Sequence, residues 1–144
     1  MRFRAEYKEK LQVLNLGLED RLTAKVGLLS GGQRQALTLL MATLLKSKVL
    51  LLDEHTAALD PKTAEKVLKA TDRIVEEDKL TTIMVTHNMR DAIAHGNRLI
   101  MMNDGKVVLD IKGEEMKKLT VEKLLHQFEV VSGEEFASDK AILG

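Results

Sequence analysis

The first apolar positions are sparse and periodic. In "RFRAEYKEKLQVLNLG", Tyr7, Leu11 and Leu14, with Val13 beside them, fall on one side at helical spacing. This predicts a helix over residues 3–16, ended by Gly17. "LEDRLTAKVGLL" lacks such a period and reads as a connection. From Ser30 the helical pattern returns: Leu37, Leu40, Met41, Leu44 and Leu45 recur along one face. Leu39 and Ala42 extend the apolar positions almost all round, so this helix is expected to be deeply buried.

"VLLLD", residues 49–53, is a short continuous apolar run ending in a carboxylate. It reads as a strand buried on both faces, as in parallel sheets. "LDPKT" is a helix start, with Asp60 as N-cap and Pro61 at the first helical position. Ala64, Val67, Leu68, Thr71, Ile74 and Val75 continue it as an amphipathic stripe. "TTIMVTH", residues 81–87, reads as a second buried strand. Asn88 caps a short helix that Gly96 terminates, and "RLIMM" (98–102) is a third strand. "NDG" (103–105) turns the chain into "KVVLDI" as a hairpin. Residues 114–128 read as helical, and 129–144 as a mobile tail. Strand alternating with helix predicts an α/β fold: parallel strands flanked by helices, plus a C-terminal β-hairpin. Functional residues in such sheets gather at the carboxyl ends of strands, where Asp53, Glu54 and His87 stand.

Composition narrows the function classes. The 144 residues suffice for one modest domain. Basic and acidic residues balance at 22 each, which gives no electrostatic footprint for nucleic acid. Aromatic residues make up 3%, which argues against base-stacking platforms. Cysteine is absent, so there is no disulfide framework and no thiolate chemistry. The charged start lacks the apolar core of a secretory signal. The longest apolar stretch, residues 36–45, is half the ~20 residues a membrane span needs. A membrane role therefore has to come through a partner.

Four groups carry candidate chemistry, each beside a plainer reading. Asp53 and Glu54 are adjacent acids at a strand end: one suits Mg²⁺ through water, the other a general base. They are equally readable as solvated acids. His87 suits phosphate contact or water orientation, or is a loop histidine between the capping residues Thr86 and Asn88. In "SGGQ", Ser30 and Gln33 have capping-box spacing, and the glycines at 31 and 32 leave helix N–H groups open to an anion. Asp60 is accounted for as an N-cap.

In their order and spacing these groups resemble the ABC-type ATPases over about residues 5–128. Leu29, Ser30, Gly31, Gly32 and Gln33 match that family's signature motif, and 49–53 its Walker B strand. Glu54 matches its catalytic glutamate, residues 57–60 its D-loop, and His87 its switch histidine. The resemblance implies a partial P-loop NTPase-like fold. Residues 1–29 would be a remnant of the helical subdomain. Residues 30–128 would be the signature helix and the C-terminal part of the ATPase core. It also implies catalytic roles for Glu54 and His87, ATP contact from Ser30, Gly31, Gly32, Gln33 and Asp60, and Mg²⁺ held by Asp53 through water. The family departs here at two places: His55 and Lys48 stand where prolines are usual. The "DEHTAALDP" variant resembles a bacterial importer branch of poorly defined cargo, aromatic amino acids among the candidates.

No G-x-x-x-x-G-K-[ST] occurs; the one Gly-Lys pair, Gly105-Lys106, lies in the hairpin. The chain thus reads as the C-terminal half of a nucleotide-binding subunit. Alone it is expected to hydrolyse ATP poorly or not at all. ATP and Mg²⁺ would require a P-loop-bearing partner. A second ATPase subunit or self-association is expected, because missing strands would leave an open sheet edge. Transmembrane permease subunits would bind through the full-length protein and hold it at the cytoplasmic side of the membrane. Two alternatives stay open: a non-catalytic module completing a partner's ATP site in trans, and an ABC ATPase of chromosome maintenance or translation.

Overall fold

The computed structural model of the chain describes residues 2–45 and 47–132. These fall into two compact units, Met1–Val85 and Thr86–Gly144.

The first unit contains α1 (Arg2–Gln12), α2 (Gly31–Thr43), β1 (Val49–Asp53), α3 (Pro61–Asp78) and β2 (Thr81–Val85), with a 3₁₀ turn at Val26–Leu28. β1 and β2 pair in parallel, in register from Val49 opposite Thr81 to Asp53 opposite Val85. α3 is the crossover that parallel neighbours require. Its start is as expected: the Asp60 side chain accepts from the Thr63 amide, and Pro61 occupies the first turn. Its stripe packs inward, with Val67 wholly buried and Thr71 buried beside it. Leu14, Ala36, Leu39, Leu50, Leu52 and Ile74 share that core.

Several expectations need correction here. β2, expected as a second buried strand, has no buried residue: its positions alternate between exposed and half-buried, because the helices of this unit cover one face of the sheet only. β1 is buried on one face only. Leu50 and Leu52 meet the helices, while Val49 and Leu51 point the other way and are exposed, with Ile83 and Val85 beside them on β2. Side chains alternate along a strand, and within this unit α2 and α3 pack on one face. α2 likewise buries a single face: Gly32, Ala36, Leu39 and Leu40 are buried, whereas Met41 and Leu45 are exposed. Its neighbours α1 and α3 leave that second side uncovered. α1 stops at Gln12, short of residue 16, because Asn15 and Gly17 take left-handed backbone conformations with φ of 51° and 69°. Tyr7 is exposed rather than packed, while Leu11 and Leu14 are buried as expected.

The second unit contains α4 (Met89–His95), β3 (Arg98–Asn103), β4 (Lys106–Lys112), α5 (Glu114–Lys117) and α6 (Val121–Ser132). β3 and β4 form the expected antiparallel hairpin. Asp104 and Gly105 both have positive φ, 47° and 72°. That is the two-residue turn whose twist suits a hairpin. Leu99, Ile111, Met116 and Leu124 make its core. The helix expected over 114–128 is divided in two, and α6 continues to Ser132. The rest of the expected tail, residues 133–144, lies outside the described residues.

Candidate functional site

The site of the first unit is built from two helix starts and one strand end. At the head of α2, the Ser30 Oγ accepts from the Gln33 amide at 3.2 Å, and the Gln33 Oε1 accepts from the Ser30 amide at 3.0 Å. This is a complete capping box. The Gln33 Nε2 also donates to the Leu16 carbonyl at 3.0 Å. Gln33 thereby holds the helix start against the preceding loop through its Oε1 and one Nε2 hydrogen. The Arg34 amide returns to the Ser30 carbonyl at 2.9 Å. The amides of Gly31 and Gly32 remain for an outside acceptor, at the positive end of the helix dipole. The Ser30 oxygen accepts within the box, which leaves its hydrogen to donate outward.

The two glycines also seat α2 on the start of α3. A Cβ on Gly31 would stand 3.4 Å from the Leu59 Cδ2, and one on Gly32 would overlap Thr63. The Asp60 cap and the Ser30 cap are thus brought together through their helices. Hydrogen bonds from Thr63, its hydroxyl first and its amide second, hold the Asp60 carboxyl below the ordinary aspartate range.

Asp53 ends β1 and is exposed. Glu54 follows in a left-handed conformation, φ 44°. Its amide donates to the Val85 carbonyl at 3.0 Å, and its carbonyl accepts from the Ala57 amide at 3.0 Å. The backbone is fastened at the end of the sheet while the residue itself is exposed. Nothing in the local sequence announced this turn, since positive φ at a glutamate is uncommon. Among the described residues no group of three or more His, Cys, Asp or Glu side chains is placed to hold a metal. Asp53 fits a share in a water-rich Mg²⁺ shell, which needs only one or two carboxylates.

His87 belongs to the second unit. β2 ends at Val85, two residues before it. The Thr86 Oγ1 accepts from the Asn88 amide at 3.0 Å, and the Asn88 Oδ1 accepts from the Arg90 and Asp91 amides. His87 therefore sits on a loop fixed by the capping residues on either side of it, and is exposed.

One pair escaped sequence reasoning. His55 and Thr71 are both buried, and the His55 Nε2 lies 3.2 Å from the Thr71 Oγ1. No local signal announced it: the hydroxyl of a helical threonine is satisfied by the carbonyl four residues back, here Val67.

A family model described as ABC transporter matches residues 3–57. Over 119 residues, 83% of this chain, the sequence is 56% identical to the tyrosine transport ATP-binding protein of Clostridioides difficile, of which it covers 47%. It is 42% identical to a spermidine/putrescine import ATP-binding protein of Fusobacterium nucleatum, over 65% of this chain and 25% of that protein. It is 38% identical to a methionine import ATP-binding protein of Oceanobacillus iheyensis, over 78% of this chain and 35% of that protein. Over most of its length the chain is homologous to ABC transporter ATP-binding proteins. It spans about half, or less, of the length of these curated relatives. The parallel β1–β2 pair with its helices and the antiparallel hairpin agree with a partial ABC ATPase fold. The match to the ABC transporter model takes in Ser30, Gly31, Gly32, Gln33, Asp53 and Glu54; Asp60 and His87 lie beyond it. Among the described residues no helix is long and apolar enough to cross a membrane.

Proposed function

We propose that this chain is the signature-bearing, C-terminal half of the nucleotide-binding subunit of a bacterial ABC importer, with tyrosine or a related aromatic amino acid as cargo. The observation that carries the reading is the head of α2. Its capping box satisfies Ser30, Gln33 and Arg34 internally and leaves the Gly31 and Gly32 amides and the Ser30 hydroxyl for an anion. The relative named for tyrosine transport supports the cargo.

In this reading the anion is the γ-phosphate of ATP, held by the P-loop of another chain. Ser30, Gly31 and Gly32 stabilise charge on it, and Gln33 keeps them in place. Glu54, held exposed at the end of β1, takes the proton of the attacking water. The family match of His87 assigns it, within its own unit, water orientation or phosphate contact. Asp60 stays ionised through Thr63 and contributes at the same edge. A Mg²⁺ ion shared through Asp53 would neutralise phosphate charge when bound. The subunit works beneath permease partners on the cytoplasmic side of the membrane.

The test is MgATP turnover by two proteins. One is this chain alone. The other is a hybrid in which it replaces its matching segment of the Clostridioides difficile protein. The hybrid hydrolyses MgATP and the chain alone does not. Turnover by the chain alone, lost on Glu54→Gln, contradicts the need for a partner's P-loop. An inactive but folded hybrid contradicts the functional assignment.

A further inference from the structure

Glu54 carries a conformational problem that its neighbours solve. An L-residue with φ of 44° crowds its Cβ against its own carbonyl, so it persists only where the surroundings over-determine it. Two fastenings are backbone hydrogen bonds, from the Glu54 amide to Val85 and from the Ala57 amide to the Glu54 carbonyl. Both sit at the edge of the loop, beside exposed residues, and bonds of that kind open readily by themselves.

The next residue supplies a different kind of anchor. The His55 ring is buried at 9% exposure, against Thr71 at 5%. The Thr71 hydroxyl donates its single hydrogen to the Val67 carbonyl at 2.8 Å. It therefore has only acceptor capacity left for the ring 3.2 Å away, so the His55 Nε2 carries the proton and donates. The chain runs ring to hydroxyl to helix carbonyl, all within the buried side of α3. A buried relay of this sort is strong when complete and costly when one partner is lost.

We propose that His55 is a positioning residue for Glu54. By locking its ring onto Thr71 it fixes the chain immediately after Glu54, which holds the glutamate in its left-handed turn with the carboxylate at the end of the sheet. The consequence for turnover rests on the reading of Glu54 as general base; the geometric claim does not.

Amide hydrogen exchange of the chain tests it, with the Leu39 amide in α2 reporting global opening. Thr71→Val keeps the shape and removes the acceptor, and Thr71→Ser keeps the hydroxyl. In Thr71→Val and in His55→Ala, the Glu54 amide exchanges about tenfold faster relative to Leu39, the worth of one buried hydrogen bond. In Thr71→Ser it stays near the parent. In the hybrid, Thr71→Val lowers kcat for MgATP and leaves KM unchanged. A Glu54 amide that does not respond, or that changes only in step with Leu39, overturns the proposal whatever the kinetics. A local exchange change without any kcat effect, in a hybrid that Glu54→Gln also leaves active, removes the general-base reading and keeps the latch.

Discussion

Gly32 lies so close to Thr63 that a Cβ on the glycine would overlap the threonine Cγ2 methyl. Glycine at position 32 is thus required by packing. With the Thr63 methyl in place, α2 can seat on the first turn of α3 only where position 32 has no side chain. Thr63 is β-branched and holds Asp60 through its hydroxyl and amide, so it does not turn away at no cost.

Gly32→Ala is therefore expected to destabilise the fold by about 1–2 kcal/mol, overpacking exceeding the helix propensity that alanine adds. Thr63→Ser removes the offending methyl and keeps the hydroxyl. The double variant Gly32→Ala, Thr63→Ser should recover most of the loss in urea denaturation. Strictly additive losses would show that the two residues are not coupled.

Ser30→Ala removes one half of the capping box and should cost about 1 kcal/mol. Ser30→Gly should cost only a few tenths. Both substitutions are read by the urea midpoint at unchanged slope. Equal losses would mean that the Ser30 side chain does not cap α2.

The two faces of β1 make a sharper contrast. Leu52→Ala should cost about 2–5 kcal/mol, and Leu51→Gln should stay within about 0.5 kcal/mol. Leu52 is buried, whereas Leu51 is 70% exposed. Comparable losses at both positions would mean that the outer face is covered in solution, as self-association through the sheet would do.

The hairpin carries an acid-sensitive pair. Arg98 donates to both Asp110 oxygens, at 2.8 and 2.7 Å. The hydrogen bond from Arg98 holds the Asp110 carboxyl below the ordinary aspartate range. A group depressed on folding adds stability above its unfolded pKa and loses it as pH falls through its folded one. The contribution is therefore complete near neutrality and fades below about pH 4. Asp110→Asn should flatten that part of the pH dependence of the melting temperature of the second unit. An unchanged profile would show that the pair contributes nothing in solution, a common outcome for exposed pairs.

Much of this fold was legible because the relevant signals are local. Ser30 with Gln33, Asp60 with Pro61, and Asn88 each carry their helix start in adjacent residues. The Asp-Gly turn does the same for the hairpin. The burial of β1 was not legible, since "VLLLD" is equally apolar on both faces and only the tertiary arrangement decides which one packs. The same holds for α2, whose exposed Met41 and Leu45 differ from its buried Leu39 and Leu40 only in which helices stand nearby. At the candidate site, residue types and order were readable, and Ser30, Gly31, Gly32, Asp53 and Glu54 stand at the element ends expected of them. The left-handed Glu54, the His55–Thr71 bond and the Gly32–Thr63 seat were not readable. Each joins residues whose proximity exists only after the chain has folded.

The most direct measurement is MgATP turnover and nucleotide binding by the hybrid carrying Glu54→Gln. A general base contributes about 10²–10⁴ in rate. The account predicts a turnover at least about 100-fold below the parent hybrid, with ATP still bound. Turnover that survives the substitution would contradict it.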